Sequence, residues 1–262
     1  MDVLPLKDKI AIITGSASGI GQGIALRYAR EGAHVACGDL NVEGAQKTVD
    51  EIKTIGRESM AVRLDVTKSA DVEAMARSVF ERFGRIDILV NSAGVISANF
   101  ITEVSESTWD AIIAVDLKGT FLCMREIAKY MIQQKSGKII SISSKSGKKG
   151  GLWLAAYCSA KFGIVGLTQS VALDLAPYKV NVNAICPGNV FSTPMWDLLD
   201  VEYSKKLGVP PDQVRKMYIE KVPLGRGCTV DDVANVAVFL ASSYSDYLTG
   251  QAINVTGGQE VH

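Results

Sequence analysis

Short apolar runs alternate with longer amphipathic stretches along most of this chain. Ile10–Thr14 (IAIIT) is the first run, bounded by Lys9 and by a glycine-rich turn. AHVACGDL, Ser59–Leu64, IDILVN, KIISIS and KVNVNAIC follow, and QAINVTGG comes near the end. Each run is four to eight residues of near-continuous hydrophobicity, the signature of a strand buried on both faces. Between them lie helical patterns. IALRYAREG is one, a stretch opened by Asn41 and reaching about Ile55 is the next, and Lys68–Phe83, closed by Gly84, is a third. A long helix is expected from about Glu106 to Gln134, with Trp109, Ile112, Ile113, Leu117 and Phe121 on an apolar stripe. Another begins at Ala155. TVDDVANVAVFLAS forms the last, with Thr229 as N-cap and Asp231 and Asp232 in the first turn. Strand–helix alternation without a Gly/Ser-rich linker predicts one α/β domain over residues 1–262. Its architecture is a Rossmann-type doubly wound parallel sheet of about seven strands with helices on both faces. The stretch 195–222 is amphipathic and is expected to form a mobile flap over a substrate.

Composition narrows the function classes. The 262 residues are 47% apolar and 21% charged, enough to bury a large core. Lys plus Arg and Asp plus Glu are both 28, so no basic surface points to nucleic acid. No apolar run approaches a membrane span, and the first residues do not resemble a signal peptide. Five scattered cysteines suit reduced thiols in the cytoplasm. The two histidines, His34 and His262, offer neither a metal site nor a Ser-His-Asp triad.

Chemistry concentrates at the ends of the runs, where ligands bind in parallel α/β sheets. Thr14–Gly21 reads T-G-S-A-S-G-I-G between a strand and a helix. Glycines there let backbone amides reach a pyrophosphate, and the helix N-terminus favours its charge. Asp39 ends the second run. It suits the ribose hydroxyls of an adenosine and repels a 2′-phosphate, favouring NAD over NADP; alternatively it belongs to the turn before the next helix. Asp65, followed by Val66, suits an adenine amino group or caps a turn. Asn91-Ser92-Ala93-Gly94 is small enough for the backbone to lie against a ligand. Ser144, Tyr157 and Lys161 stand where KIISIS ends and a helix begins. The i,i+4 spacing puts phenol and ammonium on one helix face. A cation about 5 Å away at an effective dielectric near 20 favours phenolate by about 3 kcal/mol, or about two pKa units. That would lower Tyr157 into the range of a general acid/base. Lys145, Lys148 and Lys149 follow Ser144 and suit a substrate phosphate or a solvated loop. Cys158, beside Tyr157, reads as a packed helix residue.

In this order and spacing, the T-G-x-x-x-G-x-G turn, Asp65, N-S-A-G, Ser144, Y-x-x-x-K and Pro187-Gly188 resemble the short-chain dehydrogenase/reductase family over essentially the whole chain. The resemblance implies a secondary-alcohol dehydrogenase with NAD as cofactor. It implies Tyr157 as acid/base, Lys161 on the nicotinamide ribose and Ser144 on the substrate oxygen. Gly15, Ser18, Ile20 and Gly21 would line the pyrophosphate turn, with Asp39 on the ribose and Asp65 and Val66 at the adenine. Asn91, Ala93 and Gly94 would lie under the cofactor, and Pro187, Gly188, Val190 and Thr193 near its carboxamide. Where the family has asparagine in a V-N-L-x-G run, this chain has Asp116 in Val115–Gly119, which is nearly isosteric but would bring a negative charge near Lys161 and leaves the proton-relay role of that position in question. The catalytic segment and the C-terminal third are similar to the bacterial sorbitol-6-phosphate 2-dehydrogenases. That implies a polyol or polyol-phosphate substrate, of the sorbitol 6-phosphate to fructose 6-phosphate type, with Ser144, Lys145 and Lys148 meeting it. The family likeness also implies a homotetramer. A ketone or 3-oxoacyl reductase using NADPH, and a catalytically weak NAD-sensing protein, are the alternatives.

Overall fold

The computed structural model describes residues 4–262 of the chain. Seven strands form one sheet: β1 (Ile10–Thr14), β2 (His34–Asp39), β3 (Ser59–Arg63), β4 (Ile88–Asn91), β5 (Gly137–Ile142), β6 (Val180–Pro187) and β7 (Ala252–Val255). Their order is β3-β2-β1-β4-β5-β6-β7 and every pairing is parallel. The apolar runs are continuous because both faces of the sheet are covered, so alternation would have been wasted. α1 (Gly19–Arg30), α2 (Val42–Thr54) and α9 (Val230–Ala241) bury one face with Ile13, Ile24, Tyr28, Val35 and Val233. α3 (Ser69–Phe83), α5 (Gly119–Gln134) and α6 (Ala155–Leu175) cover the other with Ile12, Met75, Leu89, Met124, Ile127 and Val182. The chain leaves β1 toward β2 on one side and reaches β4 on the other. The strand ends therefore part at β1 and β4, the place where an open sheet of this topology forms a crevice.

The sequence signals for helix ends act as expected. Asn41 accepts a hydrogen bond from the Gly44 amide, and Gly84 closes α3 with φ +75°. Thr229 and Asp232 form a reciprocal capping box at α9. The single long helix from Glu106 is corrected. α4 (Glu106–Ile112) runs into one widened π-helical turn, Ile113–Lys118, before α5 resumes. The Thr120 hydroxyl donates to the Asp116 carbonyl at 2.6 Å. Gly119 lies where a Cβ would meet Val66 at 2.7 Å. The wider turn carries Asp116 inward, whereas Trp109 and Phe121 of the expected apolar stripe stay substantially exposed.

The 195–222 segment is ordered as α7 (Pro194–Leu207) and α8 (Pro211–Ile219), joined through Gly208 at φ +66°. Trp196, Leu199, Tyr203 and Val214 pack onto Ala98, Leu154, Tyr157 and Cys158. Polar ties reinforce this packing. Arg215 bonds Asp200 (2.6 Å) and Asp197 (3.1 Å), and the Ala98 amide donates to Glu202 (2.7 Å). Among the described residues no helix is long and apolar enough to cross a membrane.

Candidate active site

A cleft of about 950 Å³ opens along the carboxyl ends of the strands. At the β1 end, Gly15 adopts φ +68°, and a Cβ there would come within 2.7 Å of the Ala93 backbone. A Cβ on Gly21 would collide with the Gly15 carbonyl. The Thr14 hydroxyl accepts from the Ser92 and Ala93 amides at 3.1 and 3.2 Å, locking the two strand-end turns together. Ser18, the N-cap of α1, makes no side-chain cap hydrogen bond, so the first amides of that helix remain for a ligand. Gly15, Ser18, Ile20, Gly21, Ala93 and Gly94 all line this part of the cleft. The bare glycine surface and unclaimed helix terminus fit the pyrophosphate of a dinucleotide.

Asp39 lies on the cleft wall at the end of β2. Its carboxylate accepts from the Ala17 amide and the Asn41 amide, both at 2.9 Å, so the ligand-facing and turn readings coexist. The same is true of Asp65. It lines the cleft beside Val66 while accepting from Thr67 N (3.0 Å) and Thr67 Oγ1 (2.6 Å). The Thr67 hydroxyl holds its carboxyl below the usual range. Pro187, Gly188, Val190 and Thr193 form the wall after β6, where Thr193 Oγ1 donates to Val190 O at 2.9 Å. Asn91 is buried behind the wall. Its Nδ2 donates to Ser141 Oγ at 3.2 Å, and its Oδ1 finds no hydrogen-bond partner among the described residues.

Ser144, Tyr157 and Lys161 come together on the β5 side of the same cleft. Ser144 ends the extended chain after β5, and its Oγ accepts from the Ser146 amide at 3.0 Å. One helical turn places the Lys161 ammonium 5.3 Å from the Tyr157 ring centroid. Lys161 Nζ donates to the Ile142 carbonyl at 3.1 Å and sits 3.0 Å from Asp116 Oδ2. Asp116 is 0% exposed and lies behind the wall; its Oδ1 accepts from the Val95 amide at 2.8 Å.

This ion pair changes the expected electrostatics. Burial pushes the Tyr157 phenol up, Lys161 pulls it down, Asp116 pushes it up again and the Ser144 hydroxyl pulls it down. The net direction is upward, which corrects the expectation that Lys161 alone lowers it. Burial also raises Asp116, against the pull of Lys161. Lys161 is opposed by burial, yet the Asp116 and Tyr157 charges carry it above its ordinary value. The cation that sequence spacing assigned to the phenol is thus shared with a carboxylate from the π-helical turn.

Lys145 faces the cleft but Lys148 does not; Lys149 lines the cleft in its stead. Ser144 caps a short turn over Lys145–Gly147, and Lys148 follows it outside the cleft lining. Lys221, Gln259 and Glu260 also line the cleft, and no local signal in the sequence marked them. Lys221 reaches it from just beyond α8, and Gln259 and Glu260 from the chain after β7. Cys158 is packed against the 195–222 segment, its sulfur accepting from the Gly151 amide at 3.2 Å.

The short chain dehydrogenase family model matches residues 9–203. Sorbitol-6-phosphate 2-dehydrogenase of Escherichia coli K12 is 44% identical over 255 residues, covering 96% of this chain and 98% of that protein. Galactitol 2-dehydrogenase of Agrobacterium fabrum is 39% identical, with 97% and 98% covered. The 3-oxoacyl-[acyl-carrier-protein] reductase FabG of Staphylococcus aureus Mu50 is 38% identical, with 95% and 97% covered. The crystal structure of sorbitol-6-phosphate 2-dehydrogenase SrlD from Erwinia amylovora superposes with TM-score 0.91 at 45% identity, over 96% of this chain and 100% of that one. The family model over residues 9–203, with these relatives up to 45% identical along nearly their full length, makes this chain a member of the short chain dehydrogenase family of oxidoreductases.

Proposed function

We propose that the protein is an NAD-dependent dehydrogenase that interconverts a secondary alcohol and its ketone on a polyol or polyol phosphate. The observation that carries this reading is the convergence of Ser144, Tyr157 and Lys161 on the wall that continues the glycine turn. The likeness to polyol dehydrogenases supports the substrate class. A bound nicotinamide supplies the hydride acceptor and, when oxidised, a positive charge. The chain's residues do the rest. Ser144 Oγ orients the substrate oxygen, and Tyr157 takes the hydroxyl proton. Lys161 stabilises the phenolate that accepts that proton and would reach a ribose. Because burial and Asp116 hold Tyr157 protonated, the resting site is poised as a proton donor. Alcohol oxidation gains from alkaline pH and from the cationic ring. Asp39 supports NAD over NADP, since a 2′-phosphate beside its carboxylate would meet like charge.

The test is initial rates in the alkaline range with sorbitol 6-phosphate, sorbitol, galactitol and a simple secondary alcohol, each with NAD and with NADP. Polyol or polyol-phosphate oxidation with NAD is expected. Tyr157→Phe should lower turnover by about 10²- to 10⁴-fold while cofactor affinity holds. Near-normal turnover in that variant would remove Tyr157 as the base. A second reading, a 3-oxoacyl reductase, draws on the apolar side chains Met195, Leu198 and Met217 along the cleft. Reduction of an acyl thioester with no polyol turnover would favour it.

A further inference from the structure

Lys145, Lys149 and Lys221 meet at one end of the cleft from two distant parts of the chain. Lys145 and Lys149 belong to the loop after β5, immediately beyond Ser144; Lys221 follows α8. The Lys145 ammonium donates to Gln259 Oε1 at 2.9 Å and lies 5.6 Å from the centroid of the Tyr218 ring. The Lys221 ammonium lies 5.2 Å from the same centroid. Two cations thus lie near one aromatic ring, and neither takes part in an ion pair among the described residues. Burial pushes Lys145 down to about 8. Lys221 adds to that effect, Glu260 on the same wall opposes it, and Lys149 adds again. In a protein whose charges sum to zero, gathering ammonium groups in a half-buried cleft is unfavourable unless an anion completes the arrangement.

We propose that this end of the cleft is a phosphate subsite, in which a phosphate monoester at the far end of the substrate sits between Lys145 and Lys221 with Lys149 at its rim. The inference rests on the polyol reading above and deepens it: the substrate is a polyol phosphate, held at one end by lysines and oxidised at the other beside Tyr157. Gln259 positions Lys145, and both ammonium groups lie close to the Tyr218 ring. Lys221 lies just beyond α8, so the anion also ties the 195–222 segment to the loop that carries Ser144. A bound dianion keeps Lys145 protonated, so affinity for phosphate weakens as pH rises past about 8.

The experiment titrates inorganic phosphate calorimetrically into the full chain saturated with whichever nicotinamide cofactor it binds, so that the pyrophosphate turn is filled. Wild type, Lys145→Gln and Lys221→Gln are compared, with thermal unfolding as the check that each is folded. The ratio of kcat/KM for sorbitol 6-phosphate to that for sorbitol is measured on the same proteins. Wild type should bind phosphate, more weakly at about pH 9 than at about pH 7. Each variant should weaken that binding and lower the kcat/KM ratio by about 10- to 100-fold, chiefly through KM. Phosphate affinity and a kcat/KM ratio both within about twofold of wild type in the two variants would overturn the subsite. Lysine-dependent phosphate binding without oxidation of either polyol would uphold the subsite and remove the polyol reading. Equal oxidation of both polyols by all three proteins would do the reverse.

Discussion

Asp116 shows how one carboxylate resets a site whose other parts look familiar. It is fully buried, 3.0 Å from Lys161, and tethered by the Val95 amide. Its charge opposes the effect of Lys161 on Tyr157. Replacing Asp116 with Asn removes that charge and nearly preserves shape. The sign follows from the directions already given. Tyr157 stands above its ordinary value partly because of Asp116, so its pKa falls in the variant. The acid limb of kcat/KM for alcohol oxidation should move to lower pH, and the variant should gain most, relative to wild type, on the acidic side. A pH–rate profile of both proteins checks this; a limb that stays in place would mean that the Asp116 charge does not reach the phenol. The residue types and the four-residue spacing of Tyr157 and Lys161 were legible in the chain. The charge of Asp116 near Lys161 was legible only through the family resemblance, because Asp116 lies 45 positions before Lys161 and meets it through packing of the π-helical turn on α6.

Elements were legible wherever local chemistry specifies them. Seven buried runs became seven strands, and Asn41, Gly84 and Thr229 mark helix ends where their capping chemistry says they should. Thr229→Ala removes one arm of the capping box. It should lower stability by about 0.5–2 kcal/mol in urea or thermal unfolding. The break between α4 and α5 escaped local reading. The pattern over Glu106–Gln134 suits an uninterrupted helix, and the extra residue in the turn is favoured by contacts with Val66 and α6 rather than by propensity. Wider turns of this kind trade regular hydrogen bonding for the aim of a side chain, here Asp116.

The assembled molecule leaves apolar surface on one helical layer. Phe162 is 46% exposed and Leu173 is 77% exposed on α6. They lie eleven residues apart, about three turns, and so share a face. Trp109 on α4 and Phe121 on α5 are exposed on helices packed beside it. The family likeness implies a homotetramer, and this face suits a subunit contact. Light scattering on a sizing column should give a tetramer for wild type and smaller species for Leu173→Glu, since a buried unpaired carboxylate costs several kcal/mol. A monomeric wild type would remove the tetramer from the account.

Most strand and helix identities follow from neighbours within a few positions, and the glycine turn and the Ser144, Tyr157 and Lys161 trio were legible from residue order and spacing. Asn41 and Thr229 act through bonds to residues close by in the chain. Three-dimensional packing settled what depends on distant partners. It turned Lys148 away and brought Lys221 and Gln259 in, across a separation of more than a hundred residues from Lys145 to Gln259. It also placed Asp116 against Lys161 and raised Tyr157 where spacing alone pointed down. Charge acts through space with a range of several ångströms, so the protonation of a buried group is a property of everything folded around it.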